Sequence, residues 1–545
     1  MKQYFEEKRI RPDILTAAVY WAIIIMMVYT ICGLRIYGDK GAGFLSGPLS
    51  VFYILYLIFV LAVQKSVWVM VRVRARRSQF LNAEANMKRS FRIFIISGIV
   101  VMAMLLIGSF FLSEKLFGSS RGNFACIMVG ITSIVLCIQG VLRGYLQGIG
   151  YTKPIVISDL IIAVISFVSG IFLSLIMYRY GLKVNDLFHI SELSAVYGSA
   201  GMLLGILIGS LGGLLQILIS FTIRKAEIEE IVKEGAPRYL DNKNDVLTSI
   251  RSIVLLYVSP ALLVLVDQIF FVITHKKAEA ELDFQTLMGI YAGRAIPVIV
   301  TCILLCCVPF IRPWNRVMAR IERDEIEGAR DRLDDLASVS LKLVIPVMIF
   351  VFVMAQTLEI ALFGKDVEMS SMLIRIGSPL IVFGAVAMFL SWLLNHMGKT
   401  ILTTVCLALS WAVHVALLIA FTVLLKLGVY GMMLASLVSV IFYCLSSFFM
   451  LKKMLKYNFN FAKNFGKPLF AAAAAGFVIF LINKLFINLV GDILTFVICF
   501  VVFYFGYLFA MVFLGEFNRN SLKKIPFGFV YNGFVPRNSR DYYEE

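Results

Sequence analysis

The most constraining feature of this sequence is a succession of apolar runs, each about 20 residues or longer, that recur along its 545 residues between charges and turn formers. As a helix, a run of that length matches the hydrocarbon thickness of a bilayer, and a helix satisfies every backbone N–H and C=O within one segment. Composition agrees: 60% of residues are hydrophobic and 16% charged, with a mean hydropathy of +0.88. Soluble domains average roughly 45–50% and 25%. The chain is read as an all-α polytopic membrane protein, which excludes disorder and an ordinary soluble enzyme.

The runs predict fourteen transmembrane helices, at 14–36, 44–70, 93–113, 125–147, 154–178, 195–223, 250–274, 286–311, 343–363, 376–397, 401–425, 429–451, 468–485 and 492–514. An even number places both termini on one side. About three quarters of the 51 Lys and Arg then fall on that side, which makes it cytoplasmic. Lys65, Arg72, Arg74, Arg76, Arg77, Lys88, Arg89 and Arg92 face only Glu84 in one loop, which reads as a topology anchor; contact with anionic headgroups is the alternative. The net charge of +17 is thereby assigned to loops rather than to a nucleic-acid partner. The first run lacks a small-residue cleavage site and reads as a retained span. The nine cysteines lie in or beside apolar runs without a C-x-x-C pair and read as small hydrophobes.

An internal repeat organises these spans. The fourth ends in Leu142-Arg143-Gly144-Tyr145-Leu146-Gln147-Gly148-Ile149-Gly150-Tyr151-Thr152-Lys153-Pro154, and the tenth ends in Trp392-Leu393-Leu394-Asn395-His396-Met397-Gly398-Lys399-Thr400. Long basic connections follow spans 2 and 8. Six spans per half give a parallel repeat about an axis along the membrane normal. The expected organisation is a six-helix lobe at 1–223, a cytoplasmic linker at 224–249, a second lobe at 250–451, an extra helix pair at 452–514 and a cytoplasmic tail at 515–545.

The segment from Leu142 to Pro154 resembles the polysaccharide-transporter and sporulation-protein branch of the multidrug/oligosaccharidyl-lipid/polysaccharide (MOP) exporter superfamily, which is related to the lipid II flippases. Supporting matches are Tyr37-Gly38-Asp39-Lys40-Gly41-Ala42-Gly43, Val266-Asp267-Gln268, Pro297 with Pro309, and the Asn395 to Thr400 turn. The resemblance implies two lobes around an alternating-access cavity, a groove for a lipid tail at the last helix pair, and undecaprenyl-diphosphate-linked saccharides as cargo. Two positions depart from it. Thr30 stands where an Arg is expected in span 1, and Trp68-Val69 stands where Ser-Lys is usual in span 2.

Ionisable residues within spans are the candidate substrate contacts, because a charge near the bilayer centre costs about 2.5 to 3.5 kcal/mol and needs a partner or water. Asp267 and Arg294 lie at similar depths in adjacent spans. They read either as a permanent ion pair or as a phosphate-binding Arg with Asp267 as competitor or proton/cation site. Lys65 and Arg35 read as headgroup contacts or as snorkelling anchors. Gln268, with Gln139, Gln216, Gln356 and Asn395, lines a wet path or bonds between helices. Asp159 is expected to favour the N-terminal dipole of its helix, and His414 to be a packing residue or a proton relay. Ala319 to Ala337 reads as a solvated helix. Gly398-Lys399-Thr400 lacks the earlier glycine of a nucleotide loop, since Leu393 occupies that position.

These readings describe a non-enzymatic flippase of the cell membrane that moves a lipid-linked saccharide precursor, drawing on an ion gradient or the membrane potential and binding no cofactor or metal. The lipid-linked saccharide, membrane lipids and envelope-synthesis enzymes are its expected partners. The alternatives are a drug/cation antiporter of the same superfamily and a non-transporting scaffold of an envelope-assembly complex.

Overall fold

The computed structural model describes residues 12–233, 243–275, 283–321, 325–364, 367–397, 399–456, 459–517, 528–531 and 534. These residues are all-helical, 93% helix with no strand. The helices are α1 (Pro12–Leu55), α2 (Val63–Arg76), α3 (Phe80–Phe111), α4 (Asn123–Gly148), α5 (Lys153–Phe188), α6 (Leu193–Ile223), α7 (Lys225–Lys233), α8 (Lys243–His275), α9 (Phe284–Met288), α10 (Ile296–Cys307), α11 (Ile311–Ile321), α12 (Ile326–Phe363), α13 (Glu368–Gly377), α14 (Pro379–His396), α15 (Thr400–Ile419), α16 (Gly428–Leu455), α17 (Lys467–Val490) and α18 (Asp492–Phe513). Two π-helical turns bear on the site: Tyr56–Ala62, between α1 and α2, and Gly289–Ala295, between α9 and α10.

Among the described residues, eleven helices are long and apolar enough to cross a membrane, or twelve if the pair α13 and α14, bent by 42°, forms one span. The chain is a multi-pass membrane protein. Two features separate this count from the fourteen expected. The spans predicted at 14–36 and 44–70 fall in one helical block of 61 residues, Thr16–Arg76, and of the span predicted at 250–274 only Ala261–Thr274 enters the count, too short by itself, although α8 runs from Lys243 to His275. The long block is broken at Gly38, whose backbone (φ 69°, ψ −178°) is open only to glycine. The single helix expected over Ala319 to Ala337 is instead divided between α11 and α12, with the Glu325 N–H donating to the Arg320 carbonyl at 3.1 Å.

Contacts divide the chain into two compact units, Met1–Thr301 with Lys399–Ser439, and Cys302–Gly398 with Val440–Glu545. In the first, small residues bring α5 and α6 together. A Cβ added to Gly205 would lie 2.2 Å from the Gly170 Cα, and Ser174 donates to the Gly198 carbonyl at 2.8 Å. In lipid, where apolar side chains gain little from leaving the solvent, such backbone proximity and interhelical hydrogen bonding are what hold helices together.

In the second unit, α17 and α18 pack on each other and on α12. Phe350 meets Phe496, Phe500 and Phe503 at ring separations of 5.4–5.6 Å. Below α18, Glu516 bridges Lys342 (2.9 Å) and Lys467 (2.7 Å). Burial works to raise the Glu516 carboxyl, but hydrogen bonds and charge from Lys467 and Lys342 outweigh it and hold the group below its usual value.

Candidate functional site

Arg294 sits in the π turn at Gly289–Ala295, where α1 and this segment touch through glycine. A Cβ on Gly289 would lie 1.8 Å from the Asp39 carbonyl oxygen, and one on Gly43 equally close to that of Gln285. Arg294 donates to both oxygens of Asp39, Nε to Oδ1 at 2.5 Å and Nη2 to Oδ2 at 2.6 Å. Both side chains are largely buried, 9% and 18% exposed. This corrects the expected Asp267–Arg294 pair.

Asp267 is fully buried and belongs to a separate cluster. It accepts from Tyr291 Oη (2.6 Å) and Ser436 Oγ (3.3 Å), and pairs with His414 Nε2 at 2.9 Å. On the other side of the ring, Nδ1 lies 3.5 Å from Ser439 Oγ, whose own proton goes to the Ser436 carbonyl at 2.9 Å. The π turn widens the coil by one residue, so Tyr291 and Arg294, three apart, reach different carboxylates. Gln268 donates to Ser46 Oγ at 2.8 Å and ties α8 to α1.

A charged network surrounds the first pair. Lys40 bridges Glu192 (2.5 Å) and Asp283 (3.1 Å), and Arg121 also pairs with Glu192. Asp39 and Lys40 stood only as motif residues in the sequence reading. The Gly38 break carries them onto the segment at 283–294, and no periodicity announces such a break. Arg35, three residues earlier, is exposed.

The hairpin signature has a different logic from the turn it suggests. Gly140, Gly144 and Gly148 form one stripe on α4 that packs against the second predicted span. A Cβ at Gly140 would lie 1.8 Å from the Phe59 carbonyl oxygen, and one at Gly144 would lie 2.7 Å from that of Gln64. Arg143, 2% exposed, donates from Nε to Gln64 Oε1 (2.9 Å) and pairs through Nη2 with Asp159 Oδ1 (2.7 Å). Gln64 in turn donates to Gln147 at 2.8 Å. Asp159 is therefore the partner of a buried cation, in place of the dipole role expected for it. The turn proper uses Gly150 at φ +107°, and Pro154 opens α5. Gly150, Tyr151, Thr152, Lys153 and Arg224 line a recess of about 180 Å³, with Lys153 exposed.

Lys65 stacks over Trp68 at 4.1 Å, with Arg72 at 5.3 Å from the same ring, so the departing Trp organises two cations. Asn395 is half-buried near the end of α14, Lys399 is exposed, and Gly398 lies outside the described residues. The structure thus joins Arg294 to Asp39, Asp267 to His414, and Arg143 to Asp159. Tyr291, Ser436 and Gln64 are the members that sequence reasoning did not single out, and Asp39 and Asp159 were named there for other reasons.

No protein-family model matches the chain, and no curated protein matches it. Among solved structures, it is similar to lipid II flippase MurJ in an inward closed conformation, with a TM-score of 0.65 and 16% identity over 92% of this chain and 98% of that one. A multidrug resistance MATE family transporter of the MOP superfamily, inward-facing, gives a TM-score of 0.59 at 12% identity, covering 82% of this chain and 98% of that one. A MOP superfamily transporter from Pyrococcus furiosus, noted for the reverse polarity of its binding pocket, gives 0.57 at 14% identity, with 82% and 96% covered. At these identities the likeness establishes a shared fold.

Proposed function

We propose that the chain uses this shared fold as a flippase of the cytoplasmic membrane, moving a lipid-linked saccharide precursor of the undecaprenyl-diphosphate type by alternating access. On this reading it has fourteen spans and cytoplasmic termini. The block broken at Gly38 counts as two crossings, the bent pair α13–α14 as one, and α8 as the seventh. The repeated six-helix halves, 1–223 and 250–451, are the rocking bodies, and α17 and α18 are assigned to the lipid tail.

The observation that carries the reading is the grip of Arg294 on Asp39. A guanidinium fork that meets a carboxylate through two parallel bonds also fits a phosphate. Arg294, within the span at 286–311 and 9% exposed, is a charge retained at a cost that needs a purpose. Asp39 comes from the first half and Arg294 from the second. An arriving diphosphate that replaces Asp39 releases one half from the other and so links cargo binding to opening. Asp267 with His414 supplies the place where a proton, another cation or the membrane potential acts.

The test is the purified protein in vesicles with labelled undecaprenyl-diphosphate saccharide. Flipping is expected, with a loss of at least about tenfold in Arg294→Ala. Ion-coupled drug movement without lipid flipping supports the antiporter instead. Stable capture of envelope enzymes without any transport supports the scaffold.

A further inference from the structure

Arg143 stands outside the site just described, and its surroundings are built for an anion. The guanidinium has five N–H donors. Nε donates to Gln64, Nη2 pairs with Asp159, and the Tyr56 hydroxyl is hydrogen-bonded to the group as well, yet Nη1 itself is buried with no hydrogen-bond partner. A buried orphan donor is uncommon and calls for an explanation. The one carboxylate that balances the charge, Asp159, keeps 30% of its side chain exposed. A carboxylate in an apolar helix opens onto water rather than hydrocarbon. Gln64 and Gln147 are also half-exposed, and the Gln147 amide NH₂ donates to nothing among the described residues. The cluster therefore presents a wet opening, an exchangeable carboxylate, a spare amide donor and an under-used guanidinium on a glycine-packed and hence rigid backbone.

We propose that Arg143 is a phosphate-binding residue: a phosphate oxygen of the lipid-linked cargo takes the place of Asp159 on the guanidinium, with Gln147 donating a further hydrogen bond. This deepens the flippase reading and rests on it for the identity of the cargo. Asp159 is the stand-in that keeps the cation neutralised when no cargo is present, and it must swing toward its exposed side when cargo binds. The exchange conserves charge locally, one anion for another, so the buried cation is never left bare.

The experiment measures binding to the full-length purified protein in detergent by native mass spectrometry, with undecaprenyl diphosphate, undecaprenol, phosphatidylglycerol and inorganic diphosphate as separate probes. Asp159→Asn removes the competitor and is expected to bind undecaprenyl diphosphate about tenfold more tightly, whereas Arg143→Lys, which keeps the charge but loses the fork, binds it about tenfold more weakly. Undecaprenol binding stays unchanged in both. If Asp159→Asn binds no more tightly and melts at a lower temperature together with Arg143→Gln, the pair is a clamp and the inference falls. If the wild type flips the lipid while all three variants bind it with unaltered affinity, the inference falls and the flippase reading survives. If inorganic diphosphate or phosphatidylglycerol binds in an Arg143-dependent way and undecaprenyl diphosphate does not, the anion site stands and the lipid-linked cargo is wrong.

Discussion

Asp267 owes its place in the membrane to three donors from three separate segments, and each can be removed singly. His414→Ala leaves the carboxyl with the two hydroxyls of Tyr291 and Ser436, and Tyr291→Phe deletes a donor at 2.6 Å. Each is expected to lower stability by about 1–3 kcal/mol, the cost of a buried group left short of a partner. Heat-induced unfolding in detergent measures it, and an unchanged melting temperature would show that the cluster is redundant. Glu516 offers a titration in the second unit. Its carboxyl is held below the usual 4.5 by its hydrogen bonds and charge contacts with Lys467 and Lys342. The stability it contributes is therefore present above about pH 4.5 and is lost as pH falls through the lowered folded value. Acid unfolding of Glu516→Gln should lack that component. Asp267 and Arg294 were visible in the sequence as rare charges in apolar runs, but their pairing was not. Depth along a helix can be counted from sequence, whereas the direction in which a side chain leaves a π turn depends on contacts formed after folding.

At the level of helices, the apolar runs foretold the long apolar helices because hydrophobic length is a local property. Breaks were less legible. Gly38 looks like any glycine of a loop until its neighbours form helix on both sides, and the π turns at Tyr56–Ala62 and Gly289–Ala295 carry no composition of their own. Gly144 and Gly148 stood only as motif residues at the end of the fourth span, although with Gly140 their spacing of four is the mark of a packing stripe. Gly140→Ala places a methyl 1.8 Å from a carbonyl oxygen. It is expected to destabilise by about 1–3 kcal/mol through backbone displacement, read as a fall in melting temperature. Gly108→Ala, whose added Cβ meets only the Leu112 side chain at 3.9 Å, should have little effect and serves as the control.

For the molecule as a whole, the flippase reading makes the contact between residues 39 and 294 a joint that must part in every cycle. A cleavable thiol cross-link between Lys40→Cys and Asp283→Cys, which ties the same two segments and leaves Asp39 and Arg294 in place, should stop lipid flipping in vesicles, and cleaving it should restore flipping. Continued flipping by the cross-linked protein would mean that the joint is permanent. The repeat that suggested two lobes was read from loop lengths and hairpin residues, and the compact units combine Met1–Thr301 with Lys399–Ser439. A partition by sequence repeat and one by contact need not agree, since the first records how the chain is built and the second which helices touch in one state.

The ions around Lys40 have a consequence of their own. Lys40, Asp283, Arg121 and Glu192 each keep between about a quarter and a half of their side chains exposed, whereas Asp267 and His414 have none exposed. Dissolved electrolyte reaches the first group and not the second, with a screening length of about 10 Å at 0.1 M that shrinks to about 3 Å at 1 M. Concentrated sodium chloride should therefore act as a selective solvent for one set of fastenings, loosening the protein at Glu192 while leaving the imidazole and its carboxylate together.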